Sequence, residues 1–251
     1  MSDLIWLSEA QMRRIEPYFP LSHGVPRVDD RRIVSGIIFV IRNGLRWRDA
    51  PVAYGPPKTI YNRFIRWSRM GVFNKIFAGL AAKGRQARPT DDRCDPSQGP
   101  PHGGQPAQKG AVPRRIGRTN GGLNSKLHAV CDGKGRPLIM LLSEGQMSDY
   151  KGAALMIDAF PKAKALLGDR GYDANWFRAA LAERGIAACI PSKINRKEPI
   201  PHDTVLYRQR HRIENMFGKL KDWRRIHTRY DRCAHTFMSA ICIAATVIFW
   251  L

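Results

Sequence analysis

The stretch from Arg85 to Lys109 restricts the possible folds of this chain more than any other part of it. It reads RQARPTDDRCDPSQGPPHGGQPAQK, which is rich in Pro, Gly and Gln and almost empty of apolar side chains. Prolines remove donors from a β-ladder, and a segment without apolar side chains has nothing to pack. We therefore expect no buried strand here, and the stretch separates the chain into two parts.

The part before this stretch has a helical pattern. Candidate N-caps precede three helices: Ser8, Asp29 or Asp30, and Thr59. The third helix follows a tight break at YGPPK and carries aromatic and basic side chains, including Arg63 and Arg66. This pattern predicts a helix-turn-helix-like domain that contacts DNA through Arg63 and Arg66. A small helical bundle with surface arginines has the same pattern, so both interpretations stay open.

The part after the stretch alternates strands and helices. LNSKLHAVCD and RPLIMLLSE read as strands joined by a DGKG turn, and AKALLG and IAACIPSK as further strands separated by the helix NWFRAALAERG. Such alternation predicts an α/β sheet with helices on both faces. Asp169 comes directly after the strand ending in ALLG, where sheets of this kind place functional groups.

A predicted helix near the C-terminus carries polar side chains along one edge. Tyr207, Arg210, Glu214 and Lys221 stand at offsets that fall within an arc of roughly 60° on a continuous helix. The adjoining arc is apolar: Ile213, Met216, Phe217 and Leu220. A carboxylate among cations suits a metal ion beside DNA phosphates. A solvated basic helix with an ordinary Glu–Lys ion pair is the alternative.

The charge of the chain favours a polyanionic partner. Its 42 Lys plus Arg against 21 Asp plus Glu give a formal charge of +21, so nucleic acid is the first candidate and an acidic membrane surface the second. The N-terminus lacks a basic leader, and the apolar run from Met238 to Leu251 is shorter than the ~20 residues that span a bilayer. Five cysteines without a Cys-x-x-Cys pair fit a reduced cytosol and argue against zinc. We expect a cytoplasmic, nucleoid-associated protein without membrane attachment.

Two motifs give the chain a family resemblance. GDRGYD at Gly168 to Asp173, followed by Tyr207-x2-Arg210-x3-Glu214-x6-Lys221, resembles bacterial insertion-sequence transposases of the DDE type. The likeness covers nearly the whole chain except the stretch described first. It implies an α/β fold with an RNase H-like mixed sheet flanked by helices, preceded by a small all-α helix-turn-helix-like domain. The corresponding division is a DNA-binding domain at 1–83, an atypical segment at 84–110 and a catalytic domain at 111–251.

The resemblance also implies the roles of individual residues. Asp169 would be the second and Glu214 the third acid of a catalytic site that binds Mg²⁺ or Mn²⁺. Tyr207, Arg210 and Lys221 would contact DNA phosphate near the cleaved bond. The expected partners are the terminal repeats of a mobile element and target DNA, bound by a homo-oligomer. The expected reactions are hydrolysis at the element ends and transesterification into the target.

The first acid has no residue in this chain. The family expects an apolar strand similar to LMIDATHLKAH where this chain has the Pro/Gly/Gln-rich stretch, and Asp91, Asp92 and Asp95 have no strand to hold them rigidly. Read one base out of register from Gln86, with a TCN codon at Ser97, the same codons permit KPDRLMIDATHLKAHR. The first Asp codon would be split between Arg93 and Cys94.

We hypothesise a reading frame that leaves register near Gly84 or Arg85 and returns near Lys109 or Gly110. A natural linker of unusual composition is the alternative. The sequence thus predicts a DNA transposase with impaired cleavage. A catalytically dead DNA-binding protein that occupies element ends or modulates intact copies is the second possibility, and a basic structural protein without catalysis is the third.

Overall fold

The computed structural model describes residues 3–21, 29–86, 114–119 and 122–251. The chain divides into two compact units. The helical unit consists of the described residues in Met1–Asp92, Ala111–Arg114 and Phe217–Leu251. The sheet unit consists of those in Arg93–Gly110 and Arg115–Met216. The sequence calls on residues 87–113, including Asp91, Asp92, Asp95 and the split codon, lie outside the described residues.

The described residues form ten α-helices and five strands. The helices are α1 Glu9–Ile15, α2 Asp30–Asn43, α3 Pro57–Arg69, α4 Val72–Gln86, α5 Asp149–Met156, α6 Asn175–Glu183, α7 Thr204–Tyr207, α8 His211–Lys221, α9 Arg224–His227 and α10 Ala234–Phe249. The strands are β1 Gly117–Thr119, β2 Gly122–Cys131, β3 Pro137–Glu144, β4 Ala165–Leu167 and β5 Ala187–Cys189. Short 3-10 segments include Trp47–Asp49, Arg170–Tyr172 and Arg208–Arg210.

Helix ends in the helical unit follow local chemistry. Ser8 and Gln11 form a capping box at α1, and the Asp29 side chain accepts hydrogen bonds from the first backbone N–H groups of α2. Gly44, with φ of 67°, ends α2 in the left-handed conformation that glycine adopts most easily. The predicted cap at Thr59 is wrong. Helix α3 begins two residues earlier at Pro57, because the fixed φ of proline suits the first position of a helix.

Helix α10 belongs to the core of the helical unit. It packs on α2, α3 and α4, and its residues from Thr236 to Thr246 are buried except Met238. A helix that is apolar on every side must be covered on every side. The C-terminal segment therefore folds with the N-terminal helices, which differs from the predicted division that placed all of 111–251 in one catalytic domain.

The sheet unit holds two small sheets on one core. Strands β1, β2 and β3 are antiparallel in that order, and β4 pairs with β5 in parallel. Val130 of β2, Met156 of α5, and Phe177 and Leu181 of α6 pack together, with Leu166 of β4 against them. Helices on a sheet that mixes strand directions confirm the α/β class predicted from the sequence, with the helical N-terminal region in front.

The predicted single sheet is divided within the described residues. Strand β1 pairs only with the first three residues of β2, and no described strand joins β2 to β4. Both strands nevertheless contribute to the same core. One further strand is the element that would connect the two sheets.

Candidate functional site

Asp169 lies where the sequence predicts it, directly after β4. It begins the 3-10 turn Arg170–Tyr172, and its Oδ1 accepts a hydrogen bond from the backbone N–H of Gly171 at 2.8 Å. The side chain is half-buried. The turn therefore fixes one carboxylate oxygen of Asp169 while the carboxylate stays accessible to solvent.

A second carboxylate, that of Asp149, approaches the same turn. A methyl group added to Gly171 would lie 2.9 Å from Asp169 Oδ1 and 3.1 Å from Asp149 Oδ2. Only a glycine leaves both carboxylates this close to the turn. Lys126 donates to Asp149 Oδ1 at 3.2 Å, so one cation of β2 balances part of this charge.

The environment of Tyr172 also reports the two carboxylates. Burial raises the pKa of the Tyr172 phenol to about 12, and the charges of Asp149 and Asp169 raise it further in the same direction. Sequence analysis missed Asp149. As the first residue of α5, it has the pattern of an ordinary acid in the first turn of a helix, which carries no signal of a site.

Glu214 forms an ion pair on the surface of the sheet unit. Its Oε1 accepts from Arg210 Nη2 at 2.5 Å, and its side chain is 60% exposed. The Arg210 guanidinium also lies 5.8 Å from the centre of the Tyr207 ring. These contacts place three of the four predicted edge residues side by side: Tyr207, Arg210 and Glu214.

The predicted helix is not one continuous α-helix. Helix α7 ends at Tyr207, residues Arg208–Arg210 form a 3-10 turn, and α8 begins at His211. Because the 3-10 turn holds three rather than 3.6 residues, the arc calculated for a regular helix does not extend from Tyr207 to Lys221. The apolar face is confirmed, since Met216 and Leu220 are buried. Lys221 is the exposed last residue of α8.

The last Asp of GDRGYD, Asp173, is the most enclosed carboxylate of the motif. Its side chain is 0% exposed and accepts hydrogen bonds from Arg178 Nε, from Arg196 Nε and Nη2, and from the backbone N–H of Lys193, all at 2.8 or 2.9 Å. Burial alone would raise the pKa of Asp173, but the hydrogen bonds from Arg196, Lys193 and Arg178 outweigh it and hold that pKa well below its usual range. Asp173 is therefore ionised and fully paired.

The two arginines predicted to contact DNA on α3 have different surroundings. Arg63 forms an ion pair with Asp30, is only 12% exposed, and lies 5.0 Å from the centre of the Trp67 ring. Arg66 is exposed. The exposed residues of α3 share one face at helical spacing and include no acid: Lys58, Tyr61, Asn62, Arg66 and Arg69.

Comparison with known proteins assigns the family. A model described as "Transposase DDE domain" matches residues 96–249, which is more than half of the chain. The chain belongs to the DDE transposases. A second model, "Putative transposase of IS4/5 family", matches residues 7–77. Together these matches place the chain with the transposases of insertion sequences.

Individual DDE transposases are also similar to the chain. It is 34% identical over 131 residues to the putative transposase for insertion sequence element IS6501 of Brucella ovis, which covers 51% of this chain and 99% of that protein. It is 30% identical over 156 residues to the putative transposase for insertion sequence element IS402 of Burkholderia cepacia, covering 55% of this chain and 72% of the relative. No solved structure matches the chain.

A DDE transposase domain implies the use of a divalent metal ion in general. Within the described residues, no group of three or more His, Cys, Asp or Glu side chains could hold such an ion. Asp169 and Asp149 supply two carboxylates over Gly171, whereas the carboxylate of Glu214 is paired with Arg210. The described part of this DDE transposase therefore does not complete a metal site.

The comparisons and the described helices also bear on the first acid and on the membrane. The DDE match begins at residue 96, just beyond Arg93 and Cys94, where the shifted frame would place the first Asp. Among the helices that the structure describes, none has the length and apolarity needed to cross a bilayer.

Proposed function

We propose that this chain is an insertion-sequence transposase that binds DNA but does not cleave it in its present sequence. The observation that carries the proposal is the state of the acids. Asp169 and Asp149 face one turn, Glu214 is paired with Arg210, and no third ligand joins them in the described residues. In-line displacement at phosphorus depends on metal ions held in fixed geometry.

The exposed face of α3 supports DNA binding by the helical unit. Arg66, Arg69 and Lys58 supply three cations with no acid on the same helix face, while Tyr61 and Asn62 supply groups that hydrogen-bond to base edges. Arg63 instead has a structural role, since it is paired with Asp30 and stacked on Trp67. We therefore assign the DNA contact of α3 to Arg66 and its exposed neighbours.

The second set of DNA contacts lies along α7 and α8. Tyr207, Arg210 and Lys221 are the proposed phosphate contacts near the scissile bond. The ion pair of Arg210 with Glu214 is on the surface, so its net contribution is at most about 1 kcal/mol, and a DNA phosphate can compete for the guanidinium. Homo-oligomerisation on DNA remains a prediction.

The division between the two sheets supports the frameshift hypothesis. Strands β2 and β4 share one core but are not joined by a described strand. The shifted frame would replace a Pro- and Gly-rich stretch with LMIDATHLKAH, whose apolar start suits a buried strand. In the repaired chain the first acid would join Asp169 and Glu214, and Mg²⁺ or Mn²⁺ would be the ion that they hold.

A plasmid nicking assay tests the proposal. The present chain and a chain repaired between codons 84 and 110 are each incubated with a supercoiled plasmid that carries the element's ends and Mg²⁺ or Mn²⁺. We expect both to shift the plasmid in a gel, and only the repaired chain to nick it. Asp169→Asn in the repaired chain should abolish nicking and leave binding intact.

Two results would overturn parts of this proposal. Nicking by the present chain that disappears with Asp169→Asn would show that its own acids suffice, with Asp149 as the acid nearest to Asp169. No binding by either chain would reject the DNA-binding function altogether. Sequencing codons 84 to 110 is the separate check on the frame: an Arg93–Cys94 junction that cannot spell an Asp codon in the shifted frame removes the explanation.

A further inference from the structure

The loop that follows β5 is closed at its base. The Ser192 hydroxyl accepts from the backbone N–H of Ile200 at 2.7 Å and donates to the carbonyl of Ile200 at 3.2 Å. Residues 193–198, called the 193–198 loop below, thus leave and return through one side-chain clamp. Loops whose ends are joined in this way are compact surface features rather than extended linkers.

The same loop is attached at its tip to the buried carboxylate of Asp173. Arg196 donates to both oxygens of this carboxylate, and the backbone N–H of Lys193 donates to one of them. Arg178 completes the network from α6. Charge-assisted bonds of this kind are among the strongest side-chain contacts in proteins, so the loop tip has a fixed conformation.

This fixed tip presents an isoleucine to solvent between basic and polar side chains. Ile194 is 89% exposed. Its neighbours Lys193, Asn195 and Lys197 line an open cleft of about 690 Å³ together with Asn175. Neither lysine forms an ion pair with a described residue, and Glu198 is the acid on the exposed rim of this loop. The two guanidinium groups around Asp173 add one further positive charge beneath it.

A single exposed apolar side chain is ordinary on a protein surface. Ile194 differs because four hydrogen bonds to one buried carboxylate order the chain on both sides of it, and because cations flank it. Proteins that bind the DNA minor groove combine these features: a rigid apolar side chain that enters between base steps, and Lys or Asn beside it.

We propose that the 193–198 loop binds duplex DNA in the minor groove, with Ile194 inserted between base pairs and Lys193 and Lys197 on the flanking phosphates. This inference rests on the proposed DNA-binding function and adds a contact in the sheet unit. An acidic protein partner would use the lysines but would leave no signal of base unstacking. DNA is therefore the partner that uses all features of the loop.

The first test measures base unstacking. The full chain is titrated into a short mixed-sequence duplex that contains 2-aminopurine at successive positions, whose fluorescence rises when it is unstacked. We expect the wild-type chain to raise the fluorescence, and Ile194→Ser to lose most of that rise with about a tenfold weaker affinity. Val205→Ser is the matched control, because Val205 is also strongly exposed, at 72%, in the sheet unit.

The second test measures phosphate contacts by the salt dependence of binding to the same duplex. The double variant Lys193→Ala/Lys197→Ala should lower the slope of log affinity against log salt by about 2, one for each phosphate contact. Lys162→Ala/Lys164→Ala removes the same charge from exposed positions of the sheet unit and serves as the control. Its slope should stay close to that of the wild type.

The outcomes separate the two proposals. If the wild-type chain does not bind the duplex, the DNA-binding function itself is rejected. If it binds, and the Ile194 and lysine variants match their controls, DNA contact by the 193–198 loop is rejected. A wild-type complex without any rise in fluorescence at every probe position rejects the insertion of Ile194. Thermal melts of all four variants should match the wild type, since each change lies on the surface.

Discussion

The helical unit and the sheet unit respond differently to the loss of one segment. A helix satisfies its backbone hydrogen bonds within itself, so α2, α3, α4 and α10 form a complete core from two distant parts of the chain. A strand needs its neighbour, and β2 and β4 have no strand between them in the described residues. One altered segment can therefore leave a helical core whole while it divides a sheet.

The largest effect that would sharpen this comparison is expected from repair of codons 84 to 110. The restored strand should pair with β2 and β4 and join their sheets. We expect hydrogen exchange at Val130 and Leu166 to slow by at least about a hundredfold, because a ladder amide then exchanges only on larger openings. Amides of Ile37 in α2 should exchange as before.

The matched control is a second chain of the same length in which residues 84–110 are shuffled within their own composition. It should leave exchange in both units at the level of the present chain. Equal protection of Val130 and Leu166 in the repaired and present chains would contradict the missing-strand explanation.

The second prediction compares one ion pair from each unit. Asp173→Asn in the sheet unit leaves Arg178 and Arg196 without their buried counter-charge, which costs about 3 to 5 kcal/mol of the free energy of unfolding. Asp30→Asn in the helical unit breaks a pair with Arg63 nearer to the surface, for which we expect about 1 kcal/mol. Urea unfolding followed by hydrogen exchange in each unit measures both values.

Similar losses for the two variants would show that the sheet unit does not depend on its buried ionic network. Arg178→Lys is a useful companion variant. It keeps the positive charge beside Asp173 but loses the bond to the carbonyl of Ile190, so its cost should lie between the other two.

The smallest predicted effect is a pH dependence that both units share. Burial, aided by the charge of Lys126 and opposed by Asp149, lowers the pKa of His128 in the sheet unit. Burial and the charge of Arg69 lower the pKa of His235 in the helical unit. With a lowered folded-state pKa, the unfolded chain binds more protons below the ordinary His range, so stability falls as pH decreases through it.

His128→Gln should weaken the acid sensitivity of the sheet unit alone, and His235→Gln that of the helical unit alone. Urea midpoints at pH 7.5 and 5.5, read by exchange in each unit, give the comparison. A sheet unit that loses as much stability on acidification with His128→Gln as without it would assign the effect to another group.

The parts that the sequence predicts are those with a repeated or local signal. Alternating strands and helices gave the α/β class, Ser8 and Asp29 marked helix starts, and the apolar arc with Met216 and Leu220 gave the buried side of α8. The position of Asp169 after β4 also followed from the pattern. Each depends on residues close together in the chain.

The parts that the sequence did not predict depend on contacts between distant residues. Asp149 reaches the turn of Asp169 only because Gly171 has no side chain, and Arg63 pairs with Asp30 across two helices. Neither neighbour can be identified from spacing. The roles of Asp169, Glu214 and the DNA-contacting residues remain predictions, and so does the division into a DNA-binding and a catalytic domain.

GDRGYD contains two aspartates that a mutational screen would score alike. Asp169 stands half-exposed on a turn, whereas Asp173 is sealed beneath the 193–198 loop. Loss of the first should leave a folded protein at every temperature, and loss of the second should produce a temperature-sensitive one. An inactive variant of this motif therefore identifies a chemical group only after its melting curve is known.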